Sequence, residues 1–440
     1  MNKELYDQAA WAVETAKKAG AAGCRAGIAR ERSVEISYRE HKPETIKEAS
    51  KRTLNIELFV EGRYSSQSTS DLRQESLKSF IENAVAMTKL LEQDPFRSLT
   101  DPKYYQGRAT VDLGLNDSAY KNYSPEERHQ MAKIIESSCL QTGGPKVISV
   151  TSSVQDGFGE SVLLASNGLE GYQIGTYYVA GAQMTVQDEG DRRPNGYHFV
   201  VSTKRQGFPN AEAIGAEAAR QTLDLLGAKK IKTETLPIII RNQDVPRWMN
   251  GLLAAMYASN IQQKRSFLAD KKGEKIGSDK LTIIDDPLIP GGLASRLYDG
   301  DGIAAKKRTM IEAGVLKDFF IGWYYGRKLG WEPTTGGPSN LIIPPGKRSV
   351  AEIMNDLGRG ILITGFIGGN SNSTTGDASI GILGKLFEKG VPVQSVAEMN
   401  IADNHLNFWK KLVEVANDPW IYSSWRTPSL VFKDVVVSGV

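Results

Sequence analysis

The residues that most often carry hydrolytic chemistry are scattered along this chain. Its four histidines are His41, His129, His198 and His405, and none is followed by glutamate. Hydrolytic zinc usually needs imidazoles presented together on one helix, with a glutamate that activates water. A site of two histidines and a carboxylate would form here only if folding brought distant residues together. The sequence therefore predicts no zinc site in this chain.

Motifs for a serine nucleophile or a bound phosphate are incomplete. The segment 377–381 has Asp377 where a G-x-S-x-G nucleophile elbow needs glycine. Residues 118–121 fit S-x-x-K, but the pattern is short and an ordinary loop is favoured. The run 381–385 resembles a P-loop, yet Leu386 replaces the required Ser or Thr. We therefore reject nucleotide binding.

The Asp-Gly repeat at 299–302 resembles the start of a calcium loop. Ile303 occupies the next ligand position, and no glutamate completes the loop. A plain turn is the better interpretation.

One stretch, Gly365 to Leu412, concentrates glycine, asparagine and small hydroxyl residues. Glycine relieves the Cβ clash that bars most residues from left-handed backbone, and it lets two backbones approach closely. A strand-like run and a helix ending at Phe408-Trp409 follow. This composition indicates a segment built for shape.

The polar side chains of this stretch allow two interpretations. They could line a groove in which an extended peptide pairs with a sheet edge. They could instead form Asx turns and caps that hold irregular backbone, and the residues alone favour this structural role. The residues assigned to the peptide groove or scaffold are Gly369, Asn370, Thr375, Gly376, Asp377 and Gly381.

Three units must position these residues. The first, 1–105, has a helix at 5–19, short strands at 25–30, 33–39, 53–60 and 64–69, and a helix at 71–91 capped by Asp71. The second, 115–230, has a helix opened by Ser124-Pro125, strands joined by a hairpin at Asn167-Gly168, and a helix at 211–226. The third, 232–440, has a core helix at 244–261 and is rich in strands. The fold class is α+β, with N-terminal and central α+β units before a sheet-rich C-terminal domain.

Composition limits the partners and the compartment. Charged residues make up 24% of the 440 residues and the net charge is +3, which is no nucleic-acid footprint. The N-terminus lacks the apolar core of a signal peptide, and no apolar run has the length to span a bilayer. Cys24 and Cys139 alone make a disulfide framework improbable. We expect a cytoplasmic protein with no nucleic-acid or membrane partner.

The C-terminal unit resembles the TldD/PmbA family, once called modulators of DNA gyrase and understood as paired cytoplasmic proteases. The matching text is G-F-I-G-G-N and S-T-T-G-D-A-S-I-G-I-L-G within 365–384, then P-V-Q-S-V-A-E-M-N-I-A-D-N at 392–404. Further matches are D-G-D-G-I at 299–303, I-E-A-G-V-L-K-D-F at 311–319 and T-P-S-L-V-F-K-D-V-V-V-S-G at 427–439. The match runs in order through roughly the last half of the chain, and the N-terminal elements fit more loosely.

The resemblance also implies which branch of the family is at hand. In the TldD branch a helix carries H-E-x-x-x-H and a later cysteine completes a zinc site, whereas the PmbA or TldE branch lacks these residues and partners the zinc-bearing subunit. The motif would fall on the helix at 253–261, where Ala254, Ala255 and Ser259 stand at the ligand and base positions. Both cysteines lie outside the C-terminal unit. No catalytic residue of the family carries over.

The resemblance therefore implies a metal-free PmbA/TldE-like subunit of a metalloprotease complex acting on extended or unfolded peptides, with zinc expected only in a partner. The partner is a zinc-bearing TldD-like paralogue or a second copy of the chain. Two alternatives stay open: a peptidase in its own right, and a homodimer that captures peptides without cleaving them. Charge and motifs give a role with gyrase no support.

Overall fold

A long antiparallel sheet joins the first two predicted units. The structure, a computed structural model, describes residues 2–440. The strands follow the order β3-β2-β1-β4-β5-β6 in the sheet. Their bounds are β1 (Gly23–Arg39), β2 (Lys42–Val60), β3 (Arg63–Thr69), β4 (Val147–Ala165), β5 (Glu170–Val186) and β6 (Asn195–Ser202). Because β1 pairs with β4, the N-terminal and central units share this sheet. The predicted boundaries, 1–105, 115–230 and 232–440, stay a prediction.

Helices cover one face of this sheet. They are α1 (Lys3–Lys18), α2 (Gln74–Thr88), α3 (Pro125–Gly143) and α4 (Ala211–Leu223). Side chains alternate between the faces of a strand, and even-numbered residues such as Ile28 and Ile56 pack in the core with α1 and α2. Val34 and Val154 pack with α3 and α4 in the same way. The odd-numbered face is left for the C-terminal domain.

The C-terminal domain is built on a sheet that closes on itself. Its strands follow the order β14-β13-β12-β7-β17-β15, and β14 also pairs with β17 through Asn400 and Ser438. A smaller sheet has the order β10-β9-β8-β11-β16. The strand bounds are β7 (Glu234–Ile240), β8 (Ile283–Asp286), β9 (Arg308–Glu312), β10 (Val315–Leu316), β11 (Asn340–Ile342), β12 (Arg359–Ser371), β13 (Asp377–Glu388), β14 (Val391–Asn404), β15 (Leu412–Val415), β16 (Trp425–Arg426) and β17 (Leu430–Ser438).

Short helices complete the C-terminal domain. They are α5 (Val245–Ala254), α6 (Ala258–Gln262), α7 (Trp323–Leu329), α8 (Val350–Leu357) and α9 (His405–Phe408). The prediction of one core helix over 244–261 is wrong, because Tyr257 is extended and bridges Phe320. The amide of Ala258 donates to the Phe320 carbonyl at 2.9 Å, which ends α5 and starts α6. No helix in 2–440 is long and apolar enough to cross a bilayer.

In the first two units, some predictions from local sequence signals are confirmed and others are wrong. Ser124 and Glu127 form the capping box of α3, and the hairpin at Asn167-Gly168 is present. The mixed α+β class with a sheet-rich C-terminal domain is likewise confirmed. The predicted cap Asp71 is wrong, since Arg73 is the N-cap of α2 and Asp71 forms an ion pair with it. Predicted strands at 25–30 and 33–39 are one continuous strand, β1.

A fully buried ion pair ties α3 to β4. The Arg128 guanidinium donates to both oxygens of Asp156, from Nε at 2.6 Å and from Nη2 at 2.8 Å. Arg128 is 2% exposed and Asp156 is 0% exposed. Removing one partner would leave the other charge buried and uncompensated.

We expect Asp156→Ala to lower the free energy of unfolding by about 3–5 kcal/mol. Asp71→Ala is the matched control, because Asp71 and Arg73 form the same two-point contact on the surface, where such a pair contributes below about 1 kcal/mol. Urea unfolding followed by circular dichroism measures both variants. Equal losses in the two variants would contradict the role assigned to burial.

Candidate functional site

The segment predicted to form a peptide groove or scaffold folds as the hairpin of β12 and β13. Several of its positions must be glycine because the two backbones lie very close together. A Cβ at Gly369 would lie 2.4 Å from the Ser379 carbonyl oxygen, and one at Gly381 would lie 2.8 Å from that of Ile367. Gly369 also has φ +75°, which disfavours any other residue. These two glycines therefore bring the paired strands together.

Hydrogen bonds within the tip of the hairpin satisfy its polar groups. Thr375 Oγ1 donates to Asp377 Oδ2 at 2.7 Å, and Asn404 Nδ2 donates to Asp377 Oδ1 at 2.9 Å. The Gly376 carbonyl accepts the amide of His405 at 2.8 Å. Asn370 pairs with Ser379 across the hairpin and its side chain is exposed. The structure thus places the six predicted residues, Gly369, Asn370, Thr375, Gly376, Asp377 and Gly381, on one hairpin, in which Gly376 is buried, Gly381 is half-buried and the other four are exposed.

The hairpin lies against the segment where the zinc motif of the TldD branch would fall. Arg247 of α5 donates to the Gly368 carbonyl at 3.1 Å. A Cβ at Gly251, also in α5, would lie 2.4 Å from Ser371 Oγ. The amide of Phe267, just after α6, donates to the Ser373 carbonyl at 2.9 Å. The two regions that the sequence singled out therefore lie against each other.

The residues at the motif positions cannot hold zinc. Ala254 and Ala255 offer only carbonyl oxygens, and these accept hydrogen bonds at 2.5 Å from Asn260 Nδ2 and Ser266 Oγ. Ser259 is the only other side chain at these positions, and a lone hydroxyl is a poor zinc ligand. Within 2–440, no three His, Cys, Asp or Glu side chains are grouped so that they could hold a metal ion. The donor set does not fit the zinc of the TldD branch.

The break between α5 and α6 changes where these positions lie. On a continuous helix, residues five apart in sequence point roughly 140° apart around the axis. Here Ala254 ends α5 and Ser259 lies in α6. The angle between these two residues is therefore not fixed by the geometry of one continuous helix.

A buried histidine lies under the same hairpin. His405 is 1% exposed, and its Nε2 is 2.8 Å from Ser371 Oγ. The indole Nε1 of Trp409 donates to His405 Nδ1 at 3.2 Å, so Nδ1 is unprotonated and Nε2 carries the ring proton. His405 therefore donates to Ser371 and cannot accept its proton in this tautomer. The pair is not a serine nucleophile with its base.

Burial keeps His405 neutral. Loss of hydration lowers the pKa of His405 to about 4, against a small opposing effect of Asp403. The ring also stacks on Phe267, with 5.9 Å between centroids and 3° between planes. Sequence reasoning counted His405 among scattered histidines, and no spacing signal placed it beside Ser371.

Sequence reasoning also missed a cavity between the open face of the N-terminal sheet and the C-terminal domain. Its volume is about 1130 Å³, and it adjoins a second cavity of about 630 Å³. Both are lined by Ala29, Ser161, Gln173 and Arg296. Small residues at alternate positions of β1 and β4 leave this space, but only the strand pairing shows that they share one face.

Polar contacts fix the wall of this cavity opposite the sheet. Asn340, which is 0% exposed, donates from Nδ2 to Ser295 Oγ at 2.8 Å and accepts the Ala294 amide at 3.0 Å. Arg296 donates to the carbonyls of Gly337 and Pro338 at 2.6 and 3.0 Å. These hydrogen bonds tie the wall to β11 and to residues 337–338 of the C-terminal domain.

We expect His405 to make stability depend on pH. Its pKa is about 4 in the folded chain and 6.5 in a free side chain, so its contribution is complete above pH 6.5 and is lost as the pH falls toward 4. That loss is about 3 kcal/mol. Chemical unfolding of the wild type and of His405→Gln at several pH values measures it. The difference in unfolding free energy between them should shrink through this window; parallel curves would contradict the assignment.

Three segments of the chain match the domains of one family. Residues 24–88 match domain 1 of the PmbA/TldA metallopeptidases, 119–226 match the central domain, and 233–439 match the C-terminal domain. Metalloprotease PmbA of Escherichia coli O157:H7 is 27% identical over 420 residues, which cover 95% of this chain and 92% of that protein.

Solved structures agree over the whole chain. A proposed modulator of DNA gyrase from Bacteroides thetaiotaomicron superposes with a TM-score of 0.97 at 36% identity, covering 100% of both chains. TldE from Thermococcus kodakarensis superposes with a TM-score of 0.88 at 22% identity, covering 98% of this chain and 100% of that one, and shows the same fold. The chain therefore belongs to the PmbA/TldD metallopeptidase family.

Proposed function

We propose that this chain is the metal-free, PmbA/TldE-like subunit of a cytoplasmic metalloprotease complex that acts on extended or unfolded peptides. A zinc-bearing, TldD-like paralogue supplies the catalytic metal. In this assignment the chain contributes shape, and its partner contributes the chemistry.

One observation carries the proposal. The family match spans all three domains, yet Ala254, Ala255 and Ser259 stand where the TldD branch would place its ligands and base. Methyl groups neither bind zinc nor move a proton, and a single hydroxyl is a weak substitute. The family fold is thus present, while the donor atoms that zinc needs are missing from the motif positions.

The hairpin of β12 and β13 is the part of this chain that we assign to the peptide. It lies beside α5 and carries exposed side chains at Asn370 and Asp377. An extended peptide is recognised through main-chain hydrogen bonds and alternate side chains, and an exposed hairpin of fixed shape suits that mode. Gly369 and Gly381 hold the shape by close backbone contact.

A peptidase activity within this chain is less well supported. The pair Ser371 and His405 is the best nucleophile candidate, at 2.8 Å. Trp409 fixes the tautomer in which His405 donates to the serine, and the pKa of His405 near 4 removes a base suited to neutral pH.

Metal analysis tests this assignment. We expect the purified chain to hold no stoichiometric zinc and to cleave no unfolded casein, because it lacks a donor set. Co-expression with a zinc-bearing paralogue from the same cell should give a complex that contains zinc and cleaves casein. The control is the same complex with a motif histidine of the paralogue replaced by alanine. Stoichiometric zinc with casein cleavage in the isolated chain would favour the peptidase alternative, whereas self-association without any such partner would favour the homodimeric binder.

We expect Asn370→Ala with Asp377→Ala to reduce partner-dependent proteolysis several-fold while the complex still forms. The matched control is Asn404→Ala, which breaks the hydrogen bonds to Thr375 and Asp377 but leaves the assigned side chains in place. Casein cleavage and gel filtration measure both variants. If Asn404→Ala causes the same loss, the hairpin is scaffold only; full activity in the double variant removes it from the peptide site.

A further inference from the structure

Half of β2 is a strand with one free edge. Residues 42–53 pair with β1 on one side, whereas β3 pairs with β2 only from Leu54 onward. Among the described residues, no other strand pairs with this part of β2. A regular strand with unpaired amide and carbonyl groups is a template for another strand. Because alternate residues of a strand direct their amide and carbonyl groups to the same edge, about six residues of this segment are available for main-chain hydrogen bonds.

Lysines mark the face of this edge that points away from the helices. Lys47 and Lys51 lie opposite Glu35 and Glu31 of β1, and neither lysine makes an ion pair among the described residues. By contrast, Glu48 of β2 forms an ion pair with Arg32 at 2.7 Å. An added strand would lie next to these two lysines and one strand further from the glutamates of β1.

We propose that this edge of β2 binds an acidic, extended peptide as an additional antiparallel strand. Carboxylates four residues apart on the peptide would face Lys47 and Lys51, and would continue an alternation of charge that begins with the glutamates of β1. Directly opposed unlike charges stabilise neighbouring strands, and like charges destabilise them. Acidic side chains at this spacing therefore select the register of the peptide.

The same charges disfavour a second copy of the chain on this edge. Two copies of this strand would pair antiparallel about a twofold axis, and the side chains of opposed residues would lie on the same face of the joined sheet. Because side chains alternate between the two faces, the numbers of opposed residues must differ by an even number. Centring the pair on residue 46 opposes Glu44 and Glu48, and centring it on residue 47 opposes Lys47 to itself. Centring on residue 48 opposes Glu48 to itself, and centring on 49 opposes Lys47 to Lys51. Each of these registers opposes like charges, although the register centred on residue 48 also opposes Glu44 to Arg52.

The neighbouring cavity supplies room beside the edge. Ala49 and Lys51 of β2 line the cavity of about 1130 Å³, together with Glu31 and Ser33 of β1. Side chains of an added strand that point to this face would reach the mouth of the cavity. The edge and the cavity thus form one continuous surface.

The test uses the full-length chain alone and does not depend on zinc or a partner subunit. The probe is a labelled peptide of about twelve residues, rich in threonine and valine, with two glutamates four positions apart. We expect binding by fluorescence anisotropy, and about tenfold weaker binding to Lys47→Glu with Lys51→Glu. The matched control is Lys3→Glu with Lys18→Glu, which reverses two exposed charges on α1 and should bind as the wild type does.

Two further probes separate strand addition from simple charge attraction. A probe with alternate amides N-methylated keeps its charge but loses main-chain donors, and should bind at least about tenfold more weakly. A probe with lysines in place of the glutamates should bind only the charge-reversed variant, whose fold is checked by circular dichroism. Equal binding of the glutamate and lysine probes to the wild type, or no effect of N-methylation, would overturn the proposal. Either result leaves the assignment as a metal-free subunit intact, because that assignment concerns the C-terminal hairpin and a partner.

Discussion

The close approach of β12 and β13 is the contact on which the C-terminal domain depends. At Gly369, Gly381 and Gly384 a Cβ would lie 2.4 to 2.8 Å from a carbonyl oxygen of the facing strand. No side chain fits such a gap, so glycine is required there. The same hairpin is one side of the ring that closes where β14 meets β17. The path of these two strands is therefore set by backbone contact, and the polar side chains of the tip add hydrogen bonds such as those of Asp377 with Thr375 and Asn404.

The closed ring explains why a polar group can be buried beneath the hairpin. His405 follows β14 directly, and its ring is enclosed by Trp248, Phe267 and Trp409. Burial without charge is tolerable because both ring nitrogens have hydrogen-bond partners. A neutral histidine with a fixed tautomer holds the start of α9 against the hairpin. His405 therefore has a structural role, even though it contacts a serine.

Sequence patterns predicted the elements whose signals are local. The capping box at Ser124, the turn at Asn167-Gly168 and the mixed α+β class all depend on neighbouring residues, and the structure contains them. The continuity of β1 was missed because Glu31 and Arg32 interrupt its apolar alternation. The break after Ala254 was missed because apolar spacing continues through it, whereas the bridge between Tyr257 and Phe320 is a tertiary contact. Cavities and the partner of His405 depend on which strands pair, and a single sequence does not specify that.

The sequence also did not predict that the charged first part of β2 is a strand. Its residues 42–52 are exposed on most positions and lack the apolar alternation that predicts strands. They are nevertheless extended, because β1 supplies a complete partner on one side and continues into the core through Val34 and Ile36. A strand that owes its conformation to one neighbour needs no apolar face of its own, so its outer edge and charges are left available. The two surfaces that we propose for peptide binding thus arise from different causes: glycines bring two strands of the C-terminal hairpin together, and in β2 a charged segment pairs with β1 alone.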